Sequence, residues 1–380
     1  MTERRDHEIS GGGSQRPELS DAEETKDSTG PDHAAGHEPG LSGAEEHKVK
    51  AASNHEISGK GSHETTLSSA EGIKDSAGPN RDISGRSKFP GGRDGRDHGV
   101  ASVVEVVVPG PYATVQDFGR RGFAHLGVPR SGAADLPSLR LANRLVGNAE
   151  DAAAVELTFG GAVLRFARGA WVALTGAPVR ASRGGMWAPF WVPSGETLEI
   201  GVPYEGLRTY VAVRGGIWVP PVLGSMSTDS LSGLGPAPLE PGTVLALGEP
   251  VFGLHADVAP QRSISAEPTV GVVRGPRDDW FTDDGFATLC AGAYRVSQDS
   301  NRVGVRLAGT ALRRARAGEL PSEGMVAGAI QVPPDGQPIV FLADHPPTGG
   351  YPVIGVVASA DLPKVAQLRP GDRLRFRAVR

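Results

Sequence analysis

A mainly β protein with closed barrels, in two related halves behind a low-complexity N-terminal tail, is the fold this sequence predicts. Three observations predict it: a change of composition near Asp97, a series of short alternating β-branched runs from Val103 onward, and a single turn-then-strand pattern used three times.

The tail comes first. Between Met1 and about Asp97 there is no Trp or Tyr and a single Phe, while Gly, Ser, Glu, Asp, Lys and His dominate. So little apolar surface cannot offset chain entropy, and residues 1–100 are expected to be disordered. DHEISGGGS at Asp6 recurs as NHEISGKGS at Asn54, and LSDAEETKDSTGP at Leu19 recurs as LSSAEGIKDSAGP at Leu67, both at an offset of 48 residues. Neither copy has an apolar face to stack on a neighbour, so the repeat reads as a duplicated polar segment rather than a solenoid. Seven of the ten histidines fall in residues 1–100 without paired ligand spacing, which predicts no metal site there. Deleting the chain up to Asp97 is expected to leave the melting temperature unchanged; a clear drop on truncation refutes that reading.

The runs VVEVVV, AVLRF, WVAL, TLEI, TYVAV, VLAL, YRV, PIVF and IGVVAS follow from Val103, punctuated by Gly and Pro, and read as strands. PSGETLEI at Pro193, EPGTVLAL at Glu240 and RPGDRLRF at Arg369 share one design, in which a turn containing Gly releases an alternating strand. Such units suit closed barrels better than a parallel sheet. Helical signal is sparse. SGAADLPSLRLANRLVG offers Ser131 or Asp135 as N-cap and Gly147 as the stop, and DDWFTDDGFATLCAG offers a second short helix carrying the single cysteine, Cys290, on an apolar face. Each helix follows a strand ending in Gly-Pro, at Gly110-Pro111 and at Gly275-Pro276, which suggests two related halves.

Several chemistries are excluded. The net charge of −5 arises in the tail, and the remainder has balanced charge with no basic stripe, so nucleic acid is not an expected partner. No run of about 18 apolar residues and no secretory h-region occurs, which predicts a cytoplasmic protein that does not engage a membrane. There is no P-loop, no GxGxxG and no GxSxG motif, and Lys364 is the single lysine beyond residue 100, so a P-loop lysine and a covalently biotinylated lysine are excluded. His125, His255 and His345 stand apart from one another in sequence, and no metal site is expected from this chain.

TVQDFGRRGFAHLGVPRSGAADLPSLRLANRLVGN, from Thr114 to Asn148, resembles the opening signature of the family of the 5-oxoprolinase C subunit and allophanate hydrolase subunit 2, a biotin-dependent carboxyltransferase-like, Kip-type family. LTGAPV at Leu174, AVRGGIWVPPVLGSMST at Ala212, GPRDDWF at Gly275, SNRVGVRLAG at Ser300, LPSEGMVAGAIQVPPDGQPI at Leu320 and TGGYPVIGVVASADLPKVAQLRPGD at Thr348 match in order, and together they span Val103 to Arg380. The resemblance implies two cyclophilin-like β-barrel subdomains with a few short helices, placed here at residues 101–265 and 266–380. It implies an enzyme subunit that acts with a B-type and an A-type subunit, and with ATP and Mg2+ shared with the partner, to open 5-oxo-L-proline to L-glutamate. Relatives suggest two alternatives: a carboxyltransferase component of a biotin-dependent urea carboxylase or allophanate hydrolase system, and a non-catalytic Kip-like regulator of a sensor kinase. The chain departs from the family pattern where SDRMG reads SNRVG, from Ser300, and where DHQTTGGYP reads DHPPTGGYP, from Asp344.

Opening a lactam requires its carbonyl oxygen to be activated and the growing negative charge to be met. Arg120, Arg214 and Arg302 sit in Gly-flanked loops, where a guanidinium fork either clamps a carboxylate or phosphate or forms a salt bridge between domains. Thr348, Gly349, Gly350 and Tyr351 supply a hydroxyl, close backbone approach and a phenol, or simply a tight turn. Ser131 belongs to a loop leading into a helix, whose N–H groups suit an anion or serve only to cap the helix. Asp117, Asp135, Glu156 and Glu323 are candidate general bases or phosphate-metal ligands, each equally suited to a turn or cap. Gln331 and Asp344 end or follow apolar strands, as pocket residues, with Asp344 a candidate catalytic residue, or as satisfied buried groups.

Overall fold

In the three turn-strand units the glycine occupies the third turn position at positive φ, with Gly195 at 80°, Gly242 at 87° and Gly371 at 93°. In each, the first residue's carbonyl accepts from the fourth residue's N–H: Pro193 from Glu196 at 3.3 Å, Glu240 from Thr243 at 3.0 Å and Arg369 from Asp372 at 3.1 Å. That pattern needs a residue free to adopt φ > 0, so glycine there dictates where the following strand begins. A computed structural model describes residues 102–254, 258–318 and 320–379 of the chain. The disorder expected for residues 1–100 lies outside the described residues, as does His255.

The first half runs β1 (Val103–Val108), β2 (Tyr112–Gln116), α1 (Leu136–Leu145), β3 (Ala154–Thr158), β4 (Ala162–Phe166), β5 (Ala170–Gly176), β6 (Pro189–Val192), β7 (Thr197–Ile200), β8 (Arg208–Val213), β9 (Ile217–Trp218) and β10 (Val244–Leu247). These strands form two five-stranded antiparallel sheets, in the orders β7-β4-β1-β10-β9 and β2-β3-β8-β5-β6. Both sheets feed one apolar core, with Val106, Leu164 and Phe166 from the first meeting Val115, Leu157 and Val172 from the second. Helix α1 covers the other face of the second sheet, where Leu139, Ala142 and Leu145 pack on Ala154, Ala173, Tyr210 and Ala212. The helix begins where its N-cap chemistry says it should: Asp135 accepts from the Ser138 N–H at 3.2 Å and the Ser138 hydroxyl at 2.7 Å.

The second half runs β11 (Thr269–Arg274), α2 (Gly285–Ala291), β12 (Ala293–Val296), β13 (Gly304–Ala308), β14 (Glu323–Gly324), β15 (Ala329–Gln331), β16 (Ile339–Phe341), β17 (Thr348–Gly349), β18 (Val353–Val357), α3 (Leu362–Ala366) and β19 (Arg373–Ala378). Seven of these strands close a barrel in the order β11-β18-β15-β16-β13-β12-β19, with β11 and β19 parallel, while β14 and β17 form a separate two-stranded ribbon. Its interior is filled by a second core that includes Val270, Tyr294, Leu307, Ile330 and Phe376. The DDWFTDDGFATLCAG segment forms a 3-10 turn at Asp278–Trp280 followed by α2, on which Cys290 is half-buried against this core. Burial pushes the Cys290 thiol up.

The expected mainly β fold with few helices is therefore observed. Among the described residues no strand of one half pairs with a strand of the other, and none of their helices is long and apolar enough to cross a membrane.

Candidate functional site

The two halves meet through buried charge. Arg302, just before β13, reaches Asp344 with Nε at 2.9 Å and Nη2 at 3.0 Å, the Gly132 carbonyl with Nη2 at 2.6 Å, and Glu156 with Nη1. Arg302 is 2% exposed, Glu156 1% and Asp344 0%, so the three charges share one dry junction. Glu156 projects from β3 opposite Tyr210 of β8, whose hydroxyl donates to it at 2.6 Å and accepts from the Asp135 N–H at 2.7 Å. Arg208 stands 3.4 Å from the same carboxylate, and the Ala134 N–H donates to it at 3.1 Å. Asp344 accepts from the Ser230 N–H at 3.0 Å and the Ser230 hydroxyl at 2.6 Å. The Ser131 hydroxyl lies 2.8 Å from both Asp344 and the Thr228 carbonyl and donates its one hydrogen to either.

The loop that delivers Ser131 and Gly132 explains the glycine-rich spacing of FGRRGFAHLGVPRSG. It closes on itself through Arg120 N to Arg130 O at 2.6 Å and Ala133 N to Asp117 O at 2.9 Å. A Cβ on Gly119 would sit 2.4 Å from Arg130 O, and one on Gly132 would sit 2.8 Å from Gly119 N, so neither position admits a side chain. Gly132 has φ 94° and Ser131 has φ 55°, a left-handed pair that turns the Gly132 carbonyl toward Arg302.

Electrostatics follow the pairing. Burial alone would raise the Glu156 and Asp344 carboxyls, but Arg302, aided by Arg208 at Glu156, holds both below the ordinary carboxylate range. Burial likewise opposes the Arg302 charge, and the two carboxylates outweigh it and lift its pKa well above the arginine value. Asp135 goes the other way: burial raises it, although Gln367 donates at 2.8 Å. Gln367 is a second tie between the halves, since its Oε1 accepts from the N–H groups of Leu207 at 2.9 Å and Arg208 at 2.8 Å.

Seven residues singled out in the sequence gather here: Asp117, Arg120, Ser131, Asp135, Glu156, Arg302 and Asp344. Asp117 organises the neighbouring loop, accepting from the Gly119 N–H at 2.7 Å, the Ser225 hydroxyl at 2.7 Å and the Met226 N–H at 2.7 Å. Arg120 is buried and donates through Nη2 to the Ser227 carbonyl, while its Nε and Nη1 have no hydrogen-bond partner among the described residues. Glu323, Gln331 and Thr348–Tyr351 gather separately, around the β14-β17 ribbon. There Glu323 forms a fork with Arg277 at 2.8 and 3.1 Å, Gln331 donates to the Tyr351 carbonyl at 3.2 Å, and Arg314 lies 5.7 Å from the Tyr351 ring centre. Arg214 stands apart, donating at 2.8 Å to Val146 O at the end of α1 and at 2.8 Å to Phe252 O.

Arg208, Tyr210, Ser230, His345 and Gln367 belong to the junction without having been singled out. An Arg at the head of the apolar run TYVAV was the available signal, because a charge entering a wholly buried strand needs a partner.

Two of the cavities beside the network take in Arg302 or Ser131 themselves. One of about 410 Å³ is lined by Tyr112, Arg208, Ser230, Asn301 and Arg302. Another of about 530 Å³ lies between the Arg130–Arg140 segment and the second half, and includes Ser131, His345 and Ser359.

The architecture is thus that of a β protein with two cores, joined by a buried carboxylate-guanidinium network. The chain belongs to the family of the carboxyltransferase domain, subdomains A and B, which its residues 126–378 match. The C subunit of the 5-oxoprolinase of Escherichia coli (strain K12) is 38% identical over 283 residues, covering 72% of this chain and 90% of that protein. The urea amidolyase of Lachancea kluyveri is 36% identical over 309 residues, covering 72% of this chain and 17% of that protein. The crystal structure of the K. lactis urea amidolyase superposes with a TM-score of 0.68 at 33% identity, over 74% of this chain and 19% of that one. The chain therefore spans nearly all of the 5-oxoprolinase C subunit it matches and a small part of the urea amidolyases.

Proposed function

We propose that this chain is the C subunit of an ATP-dependent 5-oxoprolinase, working with B-type and A-type subunits to open 5-oxo-L-proline to L-glutamate. The observation that carries this reading is the match to a 5-oxoprolinase C subunit along 90% of that protein's length. The described residues contain no group of three or more His, Cys, Asp or Glu able to hold a metal ion. Mg2+ on a nucleotide is held by one or two carboxylates together with the phosphates and water, and in this reading the nucleotide is shared with a partner subunit. Within this reading the Glu156-Arg302-Asp344 network positions the loops that line the two cavities, and substrate meets the groups that remain open there.

The expected outcome is that the chain co-purifies with a B-type subunit and that 5-oxoproline-stimulated ATP hydrolysis appears only in the assembled complex. Robust stimulated hydrolysis by the isolated chain, or none by the full complex, removes the proposal. The similarity to urea amidolyase favours one second reading, a carboxyltransferase acting on carboxybiotin carried by another chain. Lys364 of α3, the sole lysine of the described residues, is paired at 2.7 Å with Asp361, the residue that precedes the helix. Urea-dependent consumption of carboxybiotin by the chain would support that second reading.

A further inference from the structure

The 530 Å³ cleft differs from the rest of the junction in its charge. Among its lining side chains are two arginines, Arg130 and Arg140, and a histidine, His345, and there is no carboxylate. Arg140 has Glu150 at 3.6 Å and lies over the Phe118 ring at 4.8 Å. Arg130 makes no ion pair or side-chain hydrogen bond within the described residues. It keeps exposed surface, yet partial desolvation and the like charges of Arg121 and Arg140 push its guanidinium below the ordinary arginine value. Positive charge of this kind, left uncompensated in a recess, favours an anion. The neighbouring cavity is different, since its Arg302 and Arg208 are already engaged with Glu156 and Asp344.

His345 adds direction. The residue is 8% exposed, and its ring stacks on Phe341 with the ring centres 6.1 Å apart. Nδ1 lies 2.9 Å from the Pro346 carbonyl, which can only accept, so Nδ1 carries the hydrogen and Nε2 presents a lone pair. Burial keeps the ring neutral near pH 7 by lowering its pKa, as does the charge of Arg130, against the raising influence of the Pro346 carbonyl and the charges of Asp344 and Asp229. Nε2 has no partner within the described residues and is left to accept from a ligand N–H.

We propose that this cleft binds a small cyclic amide bearing a carboxylate, with Arg130 pairing the carboxylate and His345 Nε2 accepting the amide N–H. The volume falls in the usual range for small-molecule sites, about 300–1,000 Å³. The inference rests on the 5-oxoprolinase reading for the choice of lactam, and it separates that reading from its competitor: 5-oxoproline carries the anion that Arg130 lacks, and urea does not.

The test is calorimetric titration of the full-length chain with 5-oxo-L-proline, with its neutral carboxamide and with urea, without partner or ATP. Saturable binding of 5-oxo-L-proline is expected, at least about tenfold tighter than the carboxamide, the range of a charge-assisted contact. Arg130→Gln should abolish that preference while leaving carboxamide binding and the melting temperature unchanged, and His345→Asn should weaken both lactams about fivefold. No saturable binding, equal binding of acid and carboxamide, or an Arg130→Gln chain that keeps the preference would each overturn the site. Because no turnover is read, carboxylate binding through Arg130 in a chain whose complex lacks 5-oxoprolinase activity would sink the functional reading and leave the site. An active complex that tolerates Arg130→Gln in this chain would do the reverse.

Discussion

Replacing Arg302 with Ala should lower stability by about 3–5 kcal/mol, because it removes the cation from between two carboxylates that remain buried. Each kcal/mol is worth roughly 2–4 °C in a domain of this size class, so the melting temperature should fall by about 6–20 °C. Arg302→Lys should fall between the variant and the parent: it keeps a charge, but one ammonium cannot reproduce bonds to Asp344, Glu156 and the Gly132 carbonyl together. Combining Arg302→Met with Asp344→Asn should recover much of the loss, since Glu156 keeps Arg208 as its partner at 3.4 Å and no unpaired charge is then buried. Thermal unfolding and turnover per folded molecule of the assembled enzyme, measured on one preparation, separate the alternatives. A stable Arg302→Lys protein with lost turnover would return Arg302 to the substrate site.

Acid should loosen the same junction. Glu156 and Asp344 have folded pKa values below their unfolded values of about 4.3 and 3.9. Their contribution is complete above those unfolded values and is lost as pH falls through the lower, folded ones. His345 acts earlier. Its folded pKa lies below its unfolded value of about 6.5, so the unfolded chain takes up that proton first and stability begins to decline below about pH 6.5. Asp135 opposes the trend, because its raised folded pKa means that acidification relieves the cost of burying its ionised form. Denaturant unfolding between pH 8 and pH 2.5 should therefore show a shallow loss followed by a steep one below about pH 4. In Asp344→Asn the steep limb should shrink; an unaltered limb would place the acid-sensitive groups elsewhere.

Much of the β framework was legible because its signals are local. All nine alternating runs are found as strands, and the three Gly turns release β7, β10 and β19 as their spacing requires. Strand β3, which carries Glu156, does not alternate, since four of its five residues are buried and both faces are covered, one by the core and the other by α1. The same holds for β8, buried at all six positions, where Arg208 and Tyr210 sit among apolar neighbours.

From the sequence alone came the turn positions, most strands, the Asp135 cap and start of α1, and the family, because each depends on residues close together in the chain. Tertiary structure alone decided which candidate charges are already satisfied. Arg302 lies 146 residues from Glu156 and 170 from Gly132, and nothing local tells an arginine whose fork is filled by its own protein from one left open. Arg214 proves in the same way to be a carbonyl tie at the end of α1, whereas Arg130 and His345 gain their significance from what surrounds them. A recess with cationic lining and no carboxylate can be recognised only once distant segments have packed and desolvated it.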